Sequence, residues 1–233
     1  MTPKRRSGPE FLDLPPEHYL PEELEGTLAD IRWVNRYLGD IRAIEKHMSV
    51  KVAGRTSFSL LDIATGTADI PVAIAAWARK RGIRAEITGM DKNGDIIEFA
   101  RKWSKGYPEI KLVVANGLAL PFPAKSFDFV ICSKTAHHLA DEEVVRLIGE
   151  MLRVARQGYL IMDLRRSRIA SFLIWGLTRI FTRNRLTRYD GPMSVLRSFS
   201  DGELAQLAMA AGATDFTIWR EPFWLLVMEG EVP

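Results

Sequence analysis

The sequence predicts an α/β protein built on a Rossmann-like, doubly wound, mostly parallel sheet of seven strands. Apolar runs that are typical of strands buried on both faces alternate with helical segments over residues 55–163. One of these runs passes through a glycine turn directly into a helix. Two further apolar runs, over 216–219 and 223–228, predict a C-terminal antiparallel hairpin that completes the sheet.

The stretch from Ser59 to Pro71 organises the rest of the chain. It begins as an apolar strand and turns at Gly66, which has no Cβ and therefore lets the backbone turn tightly and a ligand approach closely. Asp69 is placed to cap the helix that follows, and apolar residues at helical spacing continue to Gly82. A strand, a glycine turn and a helix in this order predict a nucleotide site.

Charge indicates which nucleotide this site binds. A dinucleotide site has three glycines and places a pyrophosphate at the helix N-terminus, whereas Gly66 is the one glycine of this loop. Asp62 and Asp69 bracket the loop. Their carboxylates repel a pyrophosphate and attract the ammonium and sulfonium groups of S-adenosylmethionine. We therefore expect a cationic cofactor.

The later elements of the sheet follow in order. The strand over 85–91 ends in Asp91, which is placed to accept hydrogen bonds from both hydroxyls of a ribose. Asn116 falls at the tip of the third strand, where its amide can contact adenine. The remaining predicted elements are a helix over 95–105, strands over 110–115 and 127–133, a helix over 141–156 that Gly158 ends, and a strand over 159–163.

Residues 1–54 are predicted to form an N-terminal arm and a helical cap. The segment 10–26 is rich in proline and glutamate, which predicts an irregular arm, and apolar residues then recur at helical spacing as far as Met48, with a break near Gly39. Two interpretations are open for the side chains beside this apolar stripe: they only pack the helix on the domain, or they roof the active site. These side chains are Trp33, Asn35, Arg36 and Tyr37.

Residues 164–199 are predicted to form a helical insertion after the fifth strand, inside a main domain that spans 55–233. Between Arg165 and Arg188 there are seven arginines and no acid. The apolar residues of the insertion repeat at helical spacing, but the stretch is too short and too basic to span a bilayer. The insertion is therefore a lid over an apolar substrate, a basic amphipathic helix that contacts an anionic membrane through residues 165–188, or an ordinary surface helix.

Composition narrows the class of protein. Apolar residues make up 47% of the chain, which excludes a disordered protein, and the one cysteine, Cys132, allows no disulfide framework. The net charge of +3 is too small by itself to argue for nucleic acid. Residues 1–9 are basic but have no apolar core behind them, so we expect neither a signal peptide nor a membrane anchor. The expected location is cytoplasmic, with at most peripheral contact at the inner membrane face.

Taken together, these segments resemble class I S-adenosylmethionine-dependent methyltransferases, and within them the ubiquinone/menaquinone biosynthesis C-methyltransferase group. The resemblance covers roughly residues 55–163, and the capping box that begins at Ser200 and the final hairpin fit it too. It is carried by the motifs at 61–69, 90–91, 114–123 and 126–130.

The resemblance implies S-adenosylmethionine as the cofactor and assigns its contacts. Asp62, Thr65, Gly66 and Thr67, with Ala64 and Asp69 of the same loop, are expected at the methionine end; Asp91 at the ribose; Lys92 at the edge of the adenosine; Asn116, Gly117 and Leu118 at the adenine; and Ser133 on the methyl-donor side. Ala64 and Ala68 stand where the common pattern of the family has glycines.

Two histidines and one acid are the candidate catalytic groups. Methyl transfer mainly requires that the nucleophile be aligned and water excluded, and a phenol or activated carbon also needs a base. His137 and His138 follow the fourth strand, near the expected methyl group, and Asp163 at the tip of the fifth strand is a second candidate base. The histidines could instead only pack or cap the turn. No spacing of histidine, cysteine and carboxylates predicts a metal site.

The predicted function is methylation, at oxygen or carbon, of a lipophilic small molecule such as a phenol or quinone-like ring, in secondary metabolism, by a monomer or homodimer. Candidate substrate residues are Trp33, Arg36, Tyr37, Arg165, Arg166, Phe172 and Tyr189. A nucleic-acid methyltransferase is an alternative because basic clusters bind phosphates, but no Asp/Asn-Pro-Pro-aromatic tetrad follows the fourth strand, so no nucleic acid is expected. A nicotinamide-dependent oxidoreductase and a cofactor-binding partner without turnover are two more functions that the sequence leaves open.

Overall fold

A single sheet of seven strands forms the centre of the molecule, whose computed structural model describes residues 2–232 apart from the side chain of Pro16. The strands are β1 (Ser57–Ile63), β2 (Arg84–Asp91), β3 (Ile110–Val114), β4 (Phe127–Ser133), β5 (Ala155–Leu164), β6 (Phe216–Glu221) and β7 (Leu225–Glu231). Their spatial order is β3-β2-β1-β4-β5-β7-β6. The pairs among β1 to β5 are parallel, whereas β7 runs antiparallel to both β5 and β6. The predicted fold class is therefore confirmed.

Helices cover both faces of this sheet. They are α1 (Pro21–Tyr37), α2 (Asp40–Lys51), α3 (Asp69–Lys80), α4 (Gly94–Trp103), α5 (Asp141–Val154), α6 (Arg168–Phe181), α7 (Arg185–Arg197) and α8 (Asp201–Ala210). Short 3-10 turns lie at Phe11–Asp13, Pro16–His18, Ala136–His138 and Pro222–Trp224. No helix within residues 2–232 has both the length and the apolar character that crossing a bilayer requires.

The continuous apolar run of β1 is explained by its two covered faces. Leu60 packs with residues of α2 and α3 on one face, and its neighbour Leu61 packs with residues of α5 and α8 on the other. Because successive side chains of a strand point to opposite faces, a central strand needs apolar residues at both positions. The core therefore consists of two apolar layers with the sheet between them.

One predicted boundary is wrong. The helix expected over 141–156 ends at Val154, and β5 begins at Ala155, so Arg156 and Gly158 lie in the strand rather than at a helix end. A Cβ atom on Gly158 would lie 2.8 Å from the carbonyl oxygen of Gly230 in β7. Gly158 is thus required by the close antiparallel pairing with β7, a long-range contact that the local sequence does not show.

The N-terminal arm and the insertion pack on each other. The first helix begins at Pro21, inside the segment predicted to be irregular, and it breaks before α2 at Gly39, where φ is 98°. Arg185 at the start of α7 pairs with Glu23 of α1 at 2.6 Å, and Asp190 of α7 accepts a hydrogen bond from the backbone N–H of Phe11 at 2.8 Å. Residues 2–20, which we call the N-terminal segment, are thereby held beside the insertion.

Candidate functional site

The candidate site lies where the carboxyl ends of the parallel strands meet, at the position where open α/β sheets bind ligands. After β1 the backbone turns through three residues in the left-handed region: Ala64 with φ of 56°, Gly66 with φ of 56° and Ala68 with φ of 59°. The two alanines thus keep the backbone conformation that glycine favours. The space that a Cβ on Gly66 would occupy is open, so a ligand can approach the backbone there.

The start of α3 differs from the prediction in one respect. Asp69 is the first residue of the helix rather than its cap, and the capping position is taken by Ala68 in the left-handed conformation. The Asp69 carboxylate instead accepts hydrogen bonds from the hydroxyl of Thr67 at 3.2 Å and from the amide of Asn35 at 2.8 Å. Its role is to fix the loop to the N-terminal cap.

Asp62 is a buried carboxylate with one unused oxygen. It is 2% exposed, its Oδ2 accepts a hydrogen bond from the hydroxyl of Thr65 at 2.7 Å, and its Oδ1 has no hydrogen-bond partner within the described part of the chain. Burial, with a smaller contribution from the nearby carboxylates of Asp69 and Asp91, raises the pKa of Asp62 to about 8, although the hydrogen bond from Thr65 opposes this rise. An uncompensated carboxylate of this kind favours a cationic ligand.

Asp91 ties the end of β2 to the same loop. Its Oδ2 accepts a hydrogen bond from the backbone N–H of Gly66 at 3.3 Å, and its Oδ1 accepts one from the backbone N–H of Asn93 at 3.0 Å. Burial raises the pKa of Asp91. Lys92, the next residue, is exposed.

The loop after β3 and the end of β4 supply the remaining predicted cofactor residues. Asn116 is exposed and accepts a hydrogen bond from the backbone N–H of Leu118 at 2.9 Å, which shapes the turn. A Cβ atom on Gly117 would lie 2.8 Å from a methyl carbon of Ile63, so this turn packs directly on the end of β1. The hydroxyl of Ser133 is buried and, in the part of the chain that the structure describes, meets no hydrogen-bond partner.

The N-terminal cap reaches this edge through a polar network. Lys134, just after β4, donates to the side-chain oxygen of Asn35 at 2.8 Å and pairs with the buried carboxylate of Asp40 at 2.7 Å. Since Asn35 also donates to Asp69, α1 and α2 are linked to both β1 and β4. Of the two interpretations of this cap, the network favours the one in which it covers the edge of the site. Sequence reasoning missed Lys134 and Asp40, because neither lies in a motif.

The catalytic candidates His137 and Asp163 form a buried pair. The Nδ1 atom of His137 lies 2.6 Å from Asp163 Oδ1, and the backbone N–H of His137 donates to Asp163 Oδ2 at 3.0 Å. Both residues are 2% exposed. Burial alone raises the pKa of Asp163, but the adjacent His137 outweighs burial and holds this pKa below its usual value. The carboxylate is therefore ionised and fixes the orientation of the imidazole.

The N-terminal segment covers both histidines. Asp13 Oδ1 lies 2.6 Å from His138 Nδ1, and Glu10 lies between the two imidazoles, with its oxygens 3.8 Å from His137 Nε2 and 4.0 Å from His138 Nε2. Arg197 of α7 forms ion pairs with Asp13 and Glu10 and donates to the carbonyl oxygens of His137 and His138. Burial raises the pKa of Glu10 to about 7. Sequence reasoning missed Glu10, Asp13 and Arg197; the acidic composition of the arm was a signal for Glu10 and Asp13, whereas Arg197 in α7 had none.

The structure does not bring the predicted substrate residues into one pocket. Arg166 is 6% exposed, and its three guanidinium nitrogens bond the carbonyl oxygens of Pro3 and Ser198 and the carboxylate of Glu203, so its expected role in substrate binding is replaced by a structural one. Arg165 donates its backbone N–H to the carbonyl oxygen of Trp224, and its side-chain Nε is buried with no hydrogen-bond partner among the described residues.

The aromatic candidates lie at the surface. Phe172 is 69% exposed and stacks with Trp175, Trp33 stacks with Phe181, and Tyr189 meets Phe11 edge-on at 5.2 Å between ring centroids. An exposed Phe172 does not enclose a substrate as a lid residue would. Arg36 lies over the ring of Tyr37 at 5.5 Å.

Comparison with known proteins shows which proteins this chain is similar to. Residues 60–158 match the family model described as a methyltransferase domain. The chain is 31% identical over 122 residues to a demethylmenaquinone methyltransferase of Lysinibacillus sphaericus, covering 52% of this chain and 48% of that protein. It is 32% identical over 149 residues to one of Thermus thermophilus, covering 64% and 60% respectively. The chain thus matches about half to three fifths of the length of these relatives.

Among solved structures, human N-acetylserotonin methyltransferase in complex with S-adenosylmethionine has a similar fold, with a TM-score of 0.64 and 16% identity over 91% of this chain and 56% of that one. These similarities confirm the resemblance drawn from the motifs and, with it, S-adenosylmethionine as the cofactor. Together with the loop geometry after β1, they make the chain similar to the class I S-adenosylmethionine-dependent methyltransferases in its fold and over the matched residues.

Proposed function

We propose that this protein methylates a lipophilic small molecule, a phenol or quinone-like ring, at oxygen or carbon. One observation carries the proposal: the same sheet edge holds a buried carboxylate with an unused oxygen, Asp62, and a buried histidine oriented by an acid, His137 with Asp163. The first suits a cationic methyl donor, and the second suits a nucleophile that must lose a proton. The quinone-like ring is supported by relatives named demethylmenaquinone methyltransferases.

The residues at this edge fit the cofactor. The unpaired oxygen of Asp62 and the unpaired hydroxyl of Ser133 are both buried polar atoms that need a partner. The open space at Gly66 and the carboxylate of Asp91 lie on the same loop. We propose that Asp62 and Ser133 hold the amino acid and methyl-donor side, that Asp91 holds the ribose, and that Asn116 to Leu118 hold the adenine. When bound, the cofactor supplies an electrophilic methyl group.

His137 is the proposed proton acceptor. Its Nδ1 is bonded to Asp163, so Nε2 is the ring nitrogen that remains to take a proton from a substrate hydroxyl or carbon acid. Asp163 acts as a positioning residue, because it fixes the tautomer and stabilises the imidazolium. Glu10 lies 3.8 Å from the same Nε2, so the N-terminal segment must move before a substrate reaches this atom.

The outer face of α6 is the proposed route for a lipophilic substrate. Six of its apolar side chains are between 45% and 79% exposed: Ile169, Phe172, Leu173, Trp175, Ile180 and Phe181. We call this set the α6 surface. Arg168, Arg179 and Arg183 flank it, and an apolar face bordered by arginines suits contact with an anionic membrane. We propose that α6 rests on such a membrane, where quinones and phenolic lipids dissolve.

The proposal is tested by calorimetric titration with S-adenosylmethionine and S-adenosylhomocysteine, followed by assays with labelled methyl donor. We expect both ligands to bind and the label to enter phenolic lipids or quinols dispersed in vesicles. Label that enters RNA instead, in a salt-sensitive manner, would establish a nucleic-acid methyltransferase. Cofactor binding by a folded protein that labels neither class would establish binding without turnover, and binding of NADH in its place would establish the oxidoreductase.

A further inference from the structure

Three side chains from distant parts of the sequence converge beneath the N-terminal segment. Ligand atoms of Glu10, His137 and His138 all lie within 4.8 Å of one another. Glu10 Oε1 is 3.8 Å from His137 Nε2, and Glu10 Oε2 is 4.0 Å from His138 Nε2. Glu10 Oε1 is buried and has no hydrogen-bond partner among the residues that the structure describes. We propose that these three residues bind a divalent transition-metal ion.

The Nδ1 atoms of both imidazoles make the contacts that histidines bound to metal ions commonly make. His137 Nδ1 bonds Asp163 and His138 Nδ1 bonds Asp13, each at 2.6 Å. A carboxylate on Nδ1 holds the proton there and leaves the lone pair of Nε2 free, which is the arrangement that histidine ligands of metal ions commonly show. Both Nε2 atoms then face the one carboxylate of Glu10. A catalytic base needs only one histidine oriented by a carboxylate, whereas here both His137 and His138 are oriented in this way.

The charges around the cluster also favour a cation. Three acids lie within 4.0 Å of an imidazole nitrogen, namely Glu10, Asp13 and Asp163, and the buried Arg197 pairs with two of them, Asp13 and Glu10. With neutral histidines the cluster is negative, and a dication offsets most of that charge. The Glu10 carboxylate is held from the side by the hydroxyl of Ser194 at 2.7 Å, so it is already fixed in place.

The ligand types select the metal. Two imidazoles and one carboxylate suit Zn²⁺, Fe²⁺, Co²⁺ or Ni²⁺, whereas Mg²⁺ and Ca²⁺ prefer sites made of oxygen. Three protein ligands leave at least one coordination position open. An ion here would also fasten the N-terminal segment to the turn after β4. The site needs neither the cofactor loop nor a lipophilic substrate, but it shares His137 Nε2 with the proposed methyl transfer, so an ion bound there and proton transfer to that atom exclude each other.

The inference is tested by titrating the full-length, chelator-treated protein with Co²⁺ and Zn²⁺, using calorimetry and the visible absorption of bound Co²⁺. We expect one ion per chain and a Co²⁺ spectrum that Zn²⁺ abolishes. His138→Gln and Glu10→Gln should each weaken binding by ~10-fold or more, and Asp13→Asn by ~10-fold through the lost outer contact. His18→Gln, which changes an exposed histidine of the same segment, is the matched control and should bind as the wild type does.

Two results would overturn the inference, with circular dichroism showing that each variant is folded. One is the absence of binding by the wild-type protein. The other is binding that His138→Gln and Glu10→Gln leave as tight as His18→Gln does, since the ion would then lie elsewhere. Cofactor binding is measured separately, so failure of the metal site and failure of the proposed methyl transfer remain distinguishable.

Discussion

Asp91 shows how one carboxylate joins the loop after β1 to the end of β2. Its two oxygens accept backbone N–H groups from Gly66 and Asn93. We expect Asp91→Ala to weaken binding of S-adenosylmethionine by about 1–3 kcal/mol, the cost of losing a charge-assisted hydrogen bond, as measured by calorimetry. Asp95→Ala removes an exposed acid from the start of α4 and should leave the affinity unchanged. Equal affinity of Asp91→Ala and wild type would contradict the assignment.

Ala64 and Ala68 carry a conformational cost that glycine would not. The left-handed region costs an L-residue roughly 1–2 kcal/mol, whereas glycine loses about 0.5–1 kcal/mol more chain entropy on folding. We therefore expect Ala64→Gly and Ala68→Gly each to raise the free energy of unfolding by up to ~1 kcal/mol in urea titrations. Ala76→Gly, in the middle of α3, is the control and should lower it by about 1 kcal/mol. If the free energy of unfolding fell by a similar amount in Ala64→Gly, Ala68→Gly and Ala76→Gly, the loop would not be strained.

His137 is the residue on which proton transfer depends in our proposal. We expect His137→Gln to reduce turnover of a phenolic substrate by about 100-fold or more, with little change in the affinity for S-adenosylmethionine, because the imidazole bonds Asp163 rather than the cofactor loop. Steady-state kinetics and calorimetry separate the two effects. His18→Gln should retain wild-type turnover. If His137→Gln did so as well, another group would be the base.

The residues that sequence reasoning identified share a local signal. Asp62, Asp91 and Asp163 lie in the last two positions of buried strands, and His137 lies in the turn just after one. Recognising the apolar strands was therefore enough to place all four residues at the carboxyl end of the sheet. Glu10 has no such signal. It stands in a segment without helical or strand periodicity, and only tertiary packing brings it to the histidines.

Among the elements, α6 has the clearest consequence for function. Its apolar side chains are spaced as an amphipathic helix, and the sequence left open whether they face a substrate, a membrane or water. Their exposure favours a surface that contacts something outside the protein. Helix periodicity identifies the apolar face, but it cannot tell which neighbour that face meets.

We expect Phe172→Ser combined with Ile180→Ser to reduce binding to anionic vesicles by ~10-fold or more, because each large apolar side chain contributes about 1.5–3 kcal/mol when it leaves water. Cosedimentation with vesicles measures the effect. Met209→Ser on α8 changes an apolar residue that is 58% exposed outside the α6 surface and should bind like the wild type. Binding that is equal in all three proteins would exclude α6 as the membrane contact.

At the scale of the whole molecule, the buried charge of Asp62 affects stability. Burial and the facing carboxylates of Asp69 and Asp91 raise its pKa to about 8 against the Thr65 bond, whereas the same carboxyl has a pKa of 3.8 in the unfolded chain. Between these values the folded state keeps a proton that the unfolded state has released. The protonated Asp62 carboxyl therefore makes its full contribution to the free energy of unfolding below about pH 4, and this contribution is lost as the pH rises through about 8.

Thermal unfolding between pH 5 and 8 tests this linkage. We expect Asp62→Asn to remove part of the decline in Tm with rising pH, and Asp95→Asn to leave the decline unchanged. Saturating S-adenosylmethionine should also reduce the decline, because a cation beside Asp62 favours the ionised carboxylate. Identical slopes for wild type and Asp62→Asn would mean that Asp62 does not carry the effect. Cys132, which is buried close to this carboxyl, stays protonated throughout, since burial raises the pKa of its thiol well above this range.

The sequence was sufficient for the fold because β1 to β5 and their helices repeat a local pattern of apolar strand, turn and amphipathic helix. The final hairpin was also recognisable from its two apolar runs. The pattern failed where a distant partner decides the structure, as at Gly158, whose need for a small residue comes from β7. It failed again at the N-terminal segment, whose position is set by Asp190 and Arg197.

The contacts of the N-terminal segment also have a consequence for the order in which the protein is made. Arg5 bonds the carbonyl oxygen of Arg197, a contact that spans 192 positions of the chain. Arg5 and its neighbours therefore cannot make these contacts until α7, far along the chain, has been synthesised. The histidine cluster therefore cannot close before α7 has been synthesised, and a nascent chain that already has β1 to β5 still exposes His137 and His138.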